Sequence, residues 1–143
     1  MEILNRKARY DYAIEDTYEA GIVLTGTEIK SVRQGKVNIK DSYAIIRNDE
    51  IYLLNTHISI YEEGNRFNHE EDRTRKLLLH KNELIRILTN VEKFKCTIIP
   101  LSLLWENNKI KLEIAVARRR NKVDKRQAIK EKDIQKRLKK III

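Results

Sequence analysis

Few side chains in this sequence could hold a metal ion or act as a nucleophile. The chain of 143 residues has three histidines, His57, His69 and His80, and one cysteine, Cys96. The histidine spacing matches no compact zinc signature. A single cysteine allows no internal disulfide and no cysteine metal cluster, and Cys96 lies in an apolar stretch, where a free cysteine usually packs as a small hydrophobe.

One cluster keeps a catalytic alternative open. His69 stands beside Glu70, Glu71 and Asp72, a set that could bind a hard cation in a metal-dependent nuclease. The simpler interpretation is an acidic stretch that balances the nearby Arg73, Arg75 and Lys76. The sequence contains no Gly-x-Ser-x-Gly, no P-loop and no Gly-x-Gly-x-x-Gly motif. We therefore expect no catalytic residues, no metal, no cofactor and no enzyme activity.

The charges are unevenly distributed. Residues 1–117 hold 18 basic and 18 acidic side chains, whereas residues 118–143 hold 12 basic and 3 acidic ones, which is the whole net charge of +9. A block of like charge is usually a solvated interaction arm, and the commonest partner of a basic arm is nucleic acid. An anionic membrane surface is the alternative partner.

The sequence contains no membrane-spanning pattern. No window of 18 apolar residues exists, and the N-terminus lacks the apolar core of a signal peptide. We expect a cytoplasmic protein with no membrane attachment.

Apolar patterning in the first half predicts the elements that must position any binding site. Residues 10–24 read as a long strand that bends or bulges near Gly21. Thr25 precedes Glu28 by three residues, the spacing of a capping box, so a helix starts there and ends at Gly35. Residues 41–54 read as a hairpin that turns at 48–50.

The second half predicts a loop, a helix and a hairpin. Residues 55–76 lack apolar periodicity and read as a long loop, whereas residues 80–94 carry an apolar helical stripe of Leu84, Ile85, Leu88 and Val91. Residues 98–117 read as a hairpin that turns at 106–109. In its second strand, Ile110 and every second residue after it should point into the core, and Lys111 and every second residue after it should be exposed. Pro100 should lie at a strand start or edge, because it cannot donate to a ladder.

These elements favour a mainly β, α+β fold: a small antiparallel barrel of about six strands with two flanking helices and a basic C-terminal tail. The body would span residues 1–117 and the tail residues 118–143. Within the tail, residues 118–122 read as a linker, and Ile134, Leu138, Ile141 and Ile142 form a helical stripe. We expect this tail to be disordered when free and helical on contact with a polyanion.

A small barrel with basic and aromatic side chains is a frequent RNA platform. Basic residues cluster at the N-terminus, on the first predicted helix and in the long loop. The plainer interpretation is that these charges are ordinary solvated surface. From the residues alone, a generic single-strand RNA-binding protein or a ribosomal protein stays an open alternative.

Six segments, in order along the chain, resemble the SsrA-binding protein (SmpB) family of bacterial trans-translation. They are NRKARYDY at 5–12, YEAGIVLTGTEIKS at 18–31, DSY at 41–43, GNRFNH at 64–69, RTRKLLLH at 73–80 and DKR at 124–126. The resemblance runs from Asn5 to about Asp133, and the ordered set is far more specific than any one segment.

The resemblance implies an oligonucleotide-binding (OB)-like β-barrel that is not catalytic. It implies that the body binds the tRNA-like domain of transfer-messenger RNA (tmRNA, SsrA RNA), delivers it to the A site of stalled ribosomes and stands in for the missing anticodon arm. The tail would probe the decoding centre and the empty mRNA channel. The expected partners are tmRNA and the ribosome, with one monomer of the protein for each tmRNA.

The resemblance also assigns residues to these roles. The tmRNA-facing set is Asn5, Arg6, Lys7, Glu19, Thr25, Gly26, Thr27, Glu28, Lys30, Ser31, Leu78 and Lys111. The ribosome-facing tail set is Arg118, Arg119, Arg120, Lys122, Asp124, Lys125, Arg126, Lys130 and Lys132.

Overall fold

The computed structural model describes residues 2–63 and 68–120, and this part of the chain forms nine strands and three helices. The strands are β1 Glu2–Leu4, β2 Tyr12–Ile22, β3 Val37–Asn38, β4 Tyr43–Arg47, β5 Glu50–Leu54, β6 His57–Ile58, β7 Arg75–Leu78, β8 Thr97–Glu106 and β9 Lys109–Arg119. The helices are α1 Ala8–Asp11, α2 Gly26–Arg33 and α3 Lys81–Phe94.

Seven of the strands form one antiparallel sheet in the order β1-β8-β4-β5-β7-β2-β9. An additional β8–β9 pairing returns the order to β8, so six strands pair in a circuit, as in a small barrel. Strand β1 extends the sheet beside β8, and β3 and β6 form a separate two-stranded ribbon. The predicted fold class, mainly β and antiparallel with flanking helices, is confirmed.

The main core lies on the inner face of this sheet. Leu53, Leu103, Leu112 and Ile114 are fully buried there because alternate residues of each strand point inward. Helix α2 adds Val32 to the same core and α3 adds Ile87. The two longer helices, α2 and α3, are therefore held against the sheet by side chains that are part of the main core.

A second apolar cluster lies on the opposite side of β8 and β9. Ala115 and Ala117 were predicted to be exposed, yet both are fully buried against Ala8 of α1 and Ile99 of β8. The prediction was wrong because α1, a single turn of helix, packs over these two residues on the side of the sheet that faces away from the main core.

Strand β2 starts and bends elsewhere than predicted. Tyr10 and Asp11 belong to α1 rather than to the strand. The register shift in the β2–β9 pairing falls between Ile14 and Asp16, not at Gly21. Gly21 is needed for a different reason, a close approach by a neighbouring side chain that is described below.

Both predicted hairpins are confirmed, with two-residue turns. Asn48 and Asp49 have φ of 52° and 62°, and Asn107 and Asn108 have φ of 50° and 62°. Positive φ at both turn positions is what a type I′ hairpin requires, and Asn and Asp tolerate it best after Gly. Pro100 lies inside β8, not at its start, at the register shift between Pro100 and Ser102.

The predicted long loop contains parts of two strands. Residues 57–58 form β6 and pair with β3, and Arg75 opens β7. The predicted apolar stripe of α3 is partly corrected, because fully buried Ile87 was missed and Ile85 is 54% exposed. Cys96 is buried as expected, and this burial raises the pKa of its thiol.

The body continues past the predicted boundary at Ala117. Arg118 and Arg119 pair with Ala13 and Tyr12 in the β2–β9 ladder, and the Arg120 backbone N–H donates to the Asp11 carbonyl at 2.8 Å. The residues predicted as the start of a linker are thus partly strand. The rest of the predicted tail, including its helical stripe, lies outside the described residues.

Within residues 2–63 and 68–120, no helix has the length and apolar character needed to cross a membrane.

Candidate nucleic-acid interface

Three predicted RNA-facing residues from distant parts of the sequence meet on the outer face of the sheet. Gly21 of β2 pairs with Leu78 of β7 on one side and with Lys111 of β9 on the other. Glu19 shares the same face two residues before Gly21. Leu78 and Lys111 are therefore two strand spacings apart, roughly 10 Å. We call Glu19, Leu78 and Lys111, with Gly21 between them, the outer sheet face.

Glu19 and Lys111 form an exposed ion pair. The Lys111 Nζ lies 2.9 Å from the Glu19 Oε1, and their side chains are 48% and 65% exposed respectively. The hydrogen bond to Glu19, with the attraction of its charge, raises the pKa of Lys111. Solvent reaches both side chains, so either can exchange its partner for an RNA group at little cost.

Leu78 presents apolar surface beside this pair. Its side chain is 52% exposed, although it belongs to a run of three leucines, of which Leu77 is buried. A Cβ atom added at Gly21 would lie 3.3 Å from the Leu78 Cβ, so glycine leaves room for Leu78 to lie close against β2. Sequence reasoning assigned Gly21 to a bulge and missed this contact.

The predicted capping box at the start of α2 is present. The Thr25 Oγ1 accepts from the Glu28 backbone N–H at 3.4 Å, and Glu28 Oε1 accepts from the Thr25 backbone N–H at 2.8 Å. The Glu28 carboxylate is fully buried, and it also binds two arginines, one from the β6–β7 connection and one from β7. The Nη2 atom of Arg73 lies 2.6 Å from one Glu28 oxygen, and the Nε atom of Arg75 lies 2.5 Å from the other.

We call Glu28, Arg73 and Arg75 the α2 anchor. Burial of the Glu28 carboxyl raises its pKa, but hydrogen bonds from Arg73, the Thr25 backbone and Arg75 oppose this, and the pKa falls from 4.5 to about 2. Arg75 is itself fully buried and donates to the Thr56 carbonyl at 2.6 Å and the Glu71 carbonyl at 3.0 Å. The anchor therefore fixes α2 and the end of the long loop to β7.

This arrangement restricts the predicted roles of two α2 residues. Neither Glu28 nor Ser31 exposes any side-chain surface, so a direct side-chain contact with RNA does not fit the structure. Thr25, Gly26 and Lys30 are exposed, and Thr27 is half-buried. The predicted segment divides into residues that face solvent and residues that are buried, of which Glu28 ties the helix to Arg73 and Arg75.

Thr27 and His69 connect α2 to the long loop. The His69 Nε2 lies 2.9 Å from the Ile58 carbonyl, so this nitrogen must carry the proton, and Nδ1 lies 2.8 Å from the Thr27 hydroxyl. His57 lies 2.8 Å from Glu71 and 3.1 Å from Asp72. The ring nitrogens of both histidines therefore contact other protein groups. The described part of the chain has no cluster of three or more His, Cys, Asp or Glu that could hold a metal ion.

Two cations on the exposed side of α2 lie over aromatic rings. Lys30 lies 5.3 Å from the ring centroid of Tyr61, and the Arg33 guanidinium lies 5.1 Å from that of Trp105. Arg33 also donates to the Asn108 side chain at 3.2 Å. Arg33 was outside the predicted site, although its spacing of three residues from Lys30 places both on one helix face.

The N-terminal residues of the predicted set differ in exposure. Arg6 and Lys7 are exposed, but Asn5 is 8% exposed, and its amide Nδ2 donates to the Pro100 carbonyl at 2.9 Å. Its Oδ1 atom is buried and has no hydrogen-bond partner among the described residues. Asn5 therefore offers RNA little surface, whereas Arg6 and Lys7 remain accessible.

Of the predicted tail set, only Arg118, Arg119 and Arg120 lie in the described part of the chain. Arg118 is paired with Glu15, and Arg120 donates to the Tyr12 carbonyl at 3.2 Å. Lys122, Asp124, Lys125, Arg126, Lys130 and Lys132 lie outside the described residues.

Comparisons with known proteins agree on one family. The family profile described as "SmpB protein" matches residues 2–143. Proteins named "SsrA-binding protein" from Staphylococcus aureus strains Newman and USA300 are 56% identical over 132 residues, which cover 92% of this chain and 86% of theirs. A solved structure described as "tmRNA-SmpB: a journey to the center of the bacterial ribosome" has a TM-score of 0.70 and 42% identity, covering 90% of this chain and 94% of that one.

Proposed function

This chain belongs to the SmpB protein family, and on that basis we propose that it binds the tRNA-like domain of tmRNA and delivers this RNA to the A site of stalled ribosomes. The role enables trans-translation, peptide tagging and ribosome rescue. The relatives named SsrA-binding protein, and the structural relative described as tmRNA-SmpB, support both partners.

The observation that carries the proposal is the outer sheet face. Three strands bring Glu19, Leu78 and Lys111 onto one surface, although these residues come from separate stretches of the sequence. Leu78 offers apolar surface to a base, Glu19 offers an acceptor and Lys111 a positive charge. This combination suits an RNA with unstacked bases, because its bases, donor groups and phosphates each have a partner.

Each residue of this face has a distinct role in the proposal. Leu78 packs against an unstacked base. Glu19 accepts hydrogen bonds from base amines or 2′-hydroxyl groups, for which a carboxylate needs specific donors. Lys111 binds a phosphate, which positions the RNA and carries no sequence information.

The start of α2 extends this surface. Thr25, Gly26 and Lys30 are exposed and can reach RNA. Glu28 acts as a positioning residue through the α2 anchor, whereas Ser31 is buried and does not reach solvent. Thr27 combines the two roles, since its hydroxyl binds His69.

The uneven distribution of charge along the chain supports separate roles for the body and the tail. We propose that residues 1–120 form the specific RNA-binding body, which takes the place of the missing anticodon arm. Residues 121–143 form a cationic tail that probes the decoding centre and the empty mRNA channel. Arg6 and Lys7 supply further exposed charge on the body, and one monomer serves each tmRNA. The proposed role is RNA binding with no catalytic step.

The test is to sequence the RNA that co-purifies with the intact protein from its native cytoplasm. Enrichment of one abundant RNA with a tRNA-like end supports the proposal. A broad mixture of single-stranded or ribosomal RNA, with binding unchanged in Glu19→Gln and Leu78→Ala variants, would identify a generic RNA-binding protein instead. RNA cleavage that needs magnesium would point to a nuclease.

A further inference from the structure

An apolar groove is bounded by α3, the β4–β5 hairpin and the end of β7. It measures about 470 Å³, and apolar side chains form most of its lining, among them Ile46, Leu79 and Leu84. Ile85 of α3 also lines the groove and is 54% exposed. None of the lining residues belongs to the predicted tmRNA-facing or ribosome-facing sets, so the groove is a separate surface.

One side of α3 borders this groove with a row of four side chains. Lys81, Ile85, Leu88 and Glu92 are spaced by four, three and four residues, which places them along one face of the helix, as in the contact row of a coiled coil. Leu88 is half-buried and the other three are exposed. Neither Lys81 nor Glu92 forms an ion pair with another described residue. We call these four residues the α3 flank.

The α3 flank is complementary to its own reverse. Lys81 and Glu92 lie equally far from the middle of the row, as do Ile85 and Leu88. In an antiparallel pair of α3 helices related by a two-fold axis, Lys81 therefore faces the partner's Glu92 and Ile85 faces the partner's Leu88. Each contact occurs twice, so two ion pairs enclose four apolar side chains. A parallel pair would set like charges against each other.

The charges on α3 favour a second copy over other occupants of the groove. The helix carries three cations and two carboxylates, Lys81, Arg86, Lys93, Glu83 and Glu92. A surface of mixed sign attracts neither a polyanion such as RNA nor the cationic residues 121–143. An antiparallel second copy places a complementary charge opposite each end of the α3 flank.

We propose that two copies of this chain associate through their α3 flanks in this antiparallel arrangement. Helix α3 has 14 residues and is about 21 Å long, so the interface is small and the dimer is weak and reversible. The inference does not depend on the RNA-binding function proposed above. It concerns the protein before it binds RNA and leaves the complex of one monomer with one tmRNA unchanged.

The first test measures the mass of the full chain by sedimentation equilibrium at low salt, after RNA has been removed by nuclease and high-salt washing. Between about 5 and about 500 µM protein, the average mass should rise from 17.0 kDa towards twice that value. A mass that stays at 17.0 kDa throughout, or that doubles only when RNA is present, would overturn the proposal.

Charge reversal tests the pairing of Lys81 with the partner's Glu92. Lys81→Glu and Glu92→Lys each set like charges opposite each other and should weaken association about ten-fold or more. Both substitutions suit the helix macrodipole, because Lys81 lies in the first turn of α3 and Glu92 in the last, so the helix should stay folded by circular dichroism. Lys93→Glu is the matched control, at an exposed lysine of α3 outside the α3 flank. Equal association by the wild type and the single variants contradicts the proposal.

Two further samples test the two-fold register. The double variant Lys81→Glu with Glu92→Lys exchanges the two charges and should restore association to within about two-fold of the wild type. An equimolar mixture of the two single variants should also associate, because one chain then carries acids at both ends of the α3 flank and the other carries bases. If neither sample gains mass, this register is wrong.

A tail variant tests the other occupant within the same chain. If residues 121–143 covered the groove, Leu138→Asp would shift the amide NMR signals of Ile85 and Leu88, and the wild type would remain at 17.0 kDa. That result would assign the groove to the tail and overturn the proposal. We expect Leu138→Asp to leave both the mass curve and these two signals unchanged.

Discussion

The outer sheet face and the α2 anchor both contain a carboxylate paired with basic side chains, yet their surroundings differ completely. Glu19 on the outer sheet face has a side chain 65% exposed and binds one lysine. Glu28 in the α2 anchor is fully buried and binds two arginines and a backbone N–H. Family resemblance placed both glutamates in one RNA-facing set.

Residues that share one assignment by resemblance can therefore have two physical roles. An exposed ion pair contributes little to stability, so its members are free to bind another molecule. A buried pair cannot lose one partner without leaving a charge unpaired in the interior. Glu19 is suited to contact RNA, and Glu28 is suited to hold the helix that presents Thr25 and Lys30.

The largest expected effect is on stability, from Glu28→Gln. The glutamine can still cap α2, but two guanidinium groups lose their buried counter-charge, so the free energy of unfolding should fall by about 3–5 kcal/mol. Urea denaturation measures this. Glu19→Gln is the matched control, with an expected change below about 1 kcal/mol. Equal losses of unfolding free energy in the two variants would show that Glu28 contributes no more to stability than Glu19 does.

A related effect depends on pH. The pKa of Glu28 is depressed from 4.5 to about 2, so the stability that its charge contributes is fully present above pH 5 and is lost as the pH falls towards 2. A shift of this size corresponds to roughly 3 kcal/mol. The stability difference between the wild type and Glu28→Gln should therefore shrink over this range in parallel urea titrations. A constant difference between pH 5 and pH 2 would show that the charge of Glu28 is not its source.

Sequence reasoning found the start of α2 because a capping box is local, and it found both hairpins because Asn and Asp suit their turns. The resemblance placed Glu28 in the RNA-facing set, and no local pattern predicts its buried ion pairs with Arg73 and Arg75, which lie more than forty positions later. Sequence reasoning missed α1 and the buried Ala115 and Ala117 for a similar reason, since a single turn of helix far from β9 in sequence covers them.

The candidate site shows the same limits. Lys111 could be placed on the exposed side of its strand by alternation alone. Leu78 looked like a core residue from its neighbours, and only the resemblance marked it as an RNA contact. The role of Gly21 as its support depends on the β2–β7 register, which no local pattern contains.

On the outer sheet face the expected effects are on affinity. Leu78→Ala should weaken binding of the tRNA-like domain about five-fold or more, because the variant removes apolar surface on which an unstacked base packs. Since Leu78 is 52% exposed, the free energy of unfolding should change by less than about 1 kcal/mol. Fluorescence anisotropy with labelled RNA measures the first quantity and urea denaturation the second. A large loss of stability with unchanged affinity would make Leu78 a core residue.

A smaller effect is expected from Gly21→Ala. The added Cβ would lie 3.3 Å from the Leu78 Cβ, so Leu78 must move by a few tenths of an ångström. We expect a loss of affinity smaller than that of Leu78→Ala and a stability change within about 1 kcal/mol. Affinity equal to that of the wild type in anisotropy titrations would show that the position of Leu78 is not critical.

The smallest effect is expected from Lys111→Gln. Its ion pair with Glu19 is exposed, so stability should change by less than about 0.5 kcal/mol. If Lys111 binds one phosphate, the slope of log affinity against log salt should decrease by about 0.7 to 0.9. Lys81→Gln on α3 is a control at an exposed lysine. An unchanged slope would exclude a phosphate contact at Lys111.

The roles of the outer sheet face and the tail are tested most directly by comparing two full-length variants for binding to the tRNA-like domain of tmRNA. One is Glu19→Gln with Leu78→Ala, and the other is Lys125→Gln with Arg126→Gln and Lys130→Gln in the tail. We expect the first to lose about ten-fold or more in affinity and the second about two-fold or less at physiological salt. The reverse order would show that the charge of the tail, and not the outer sheet face, holds the RNA.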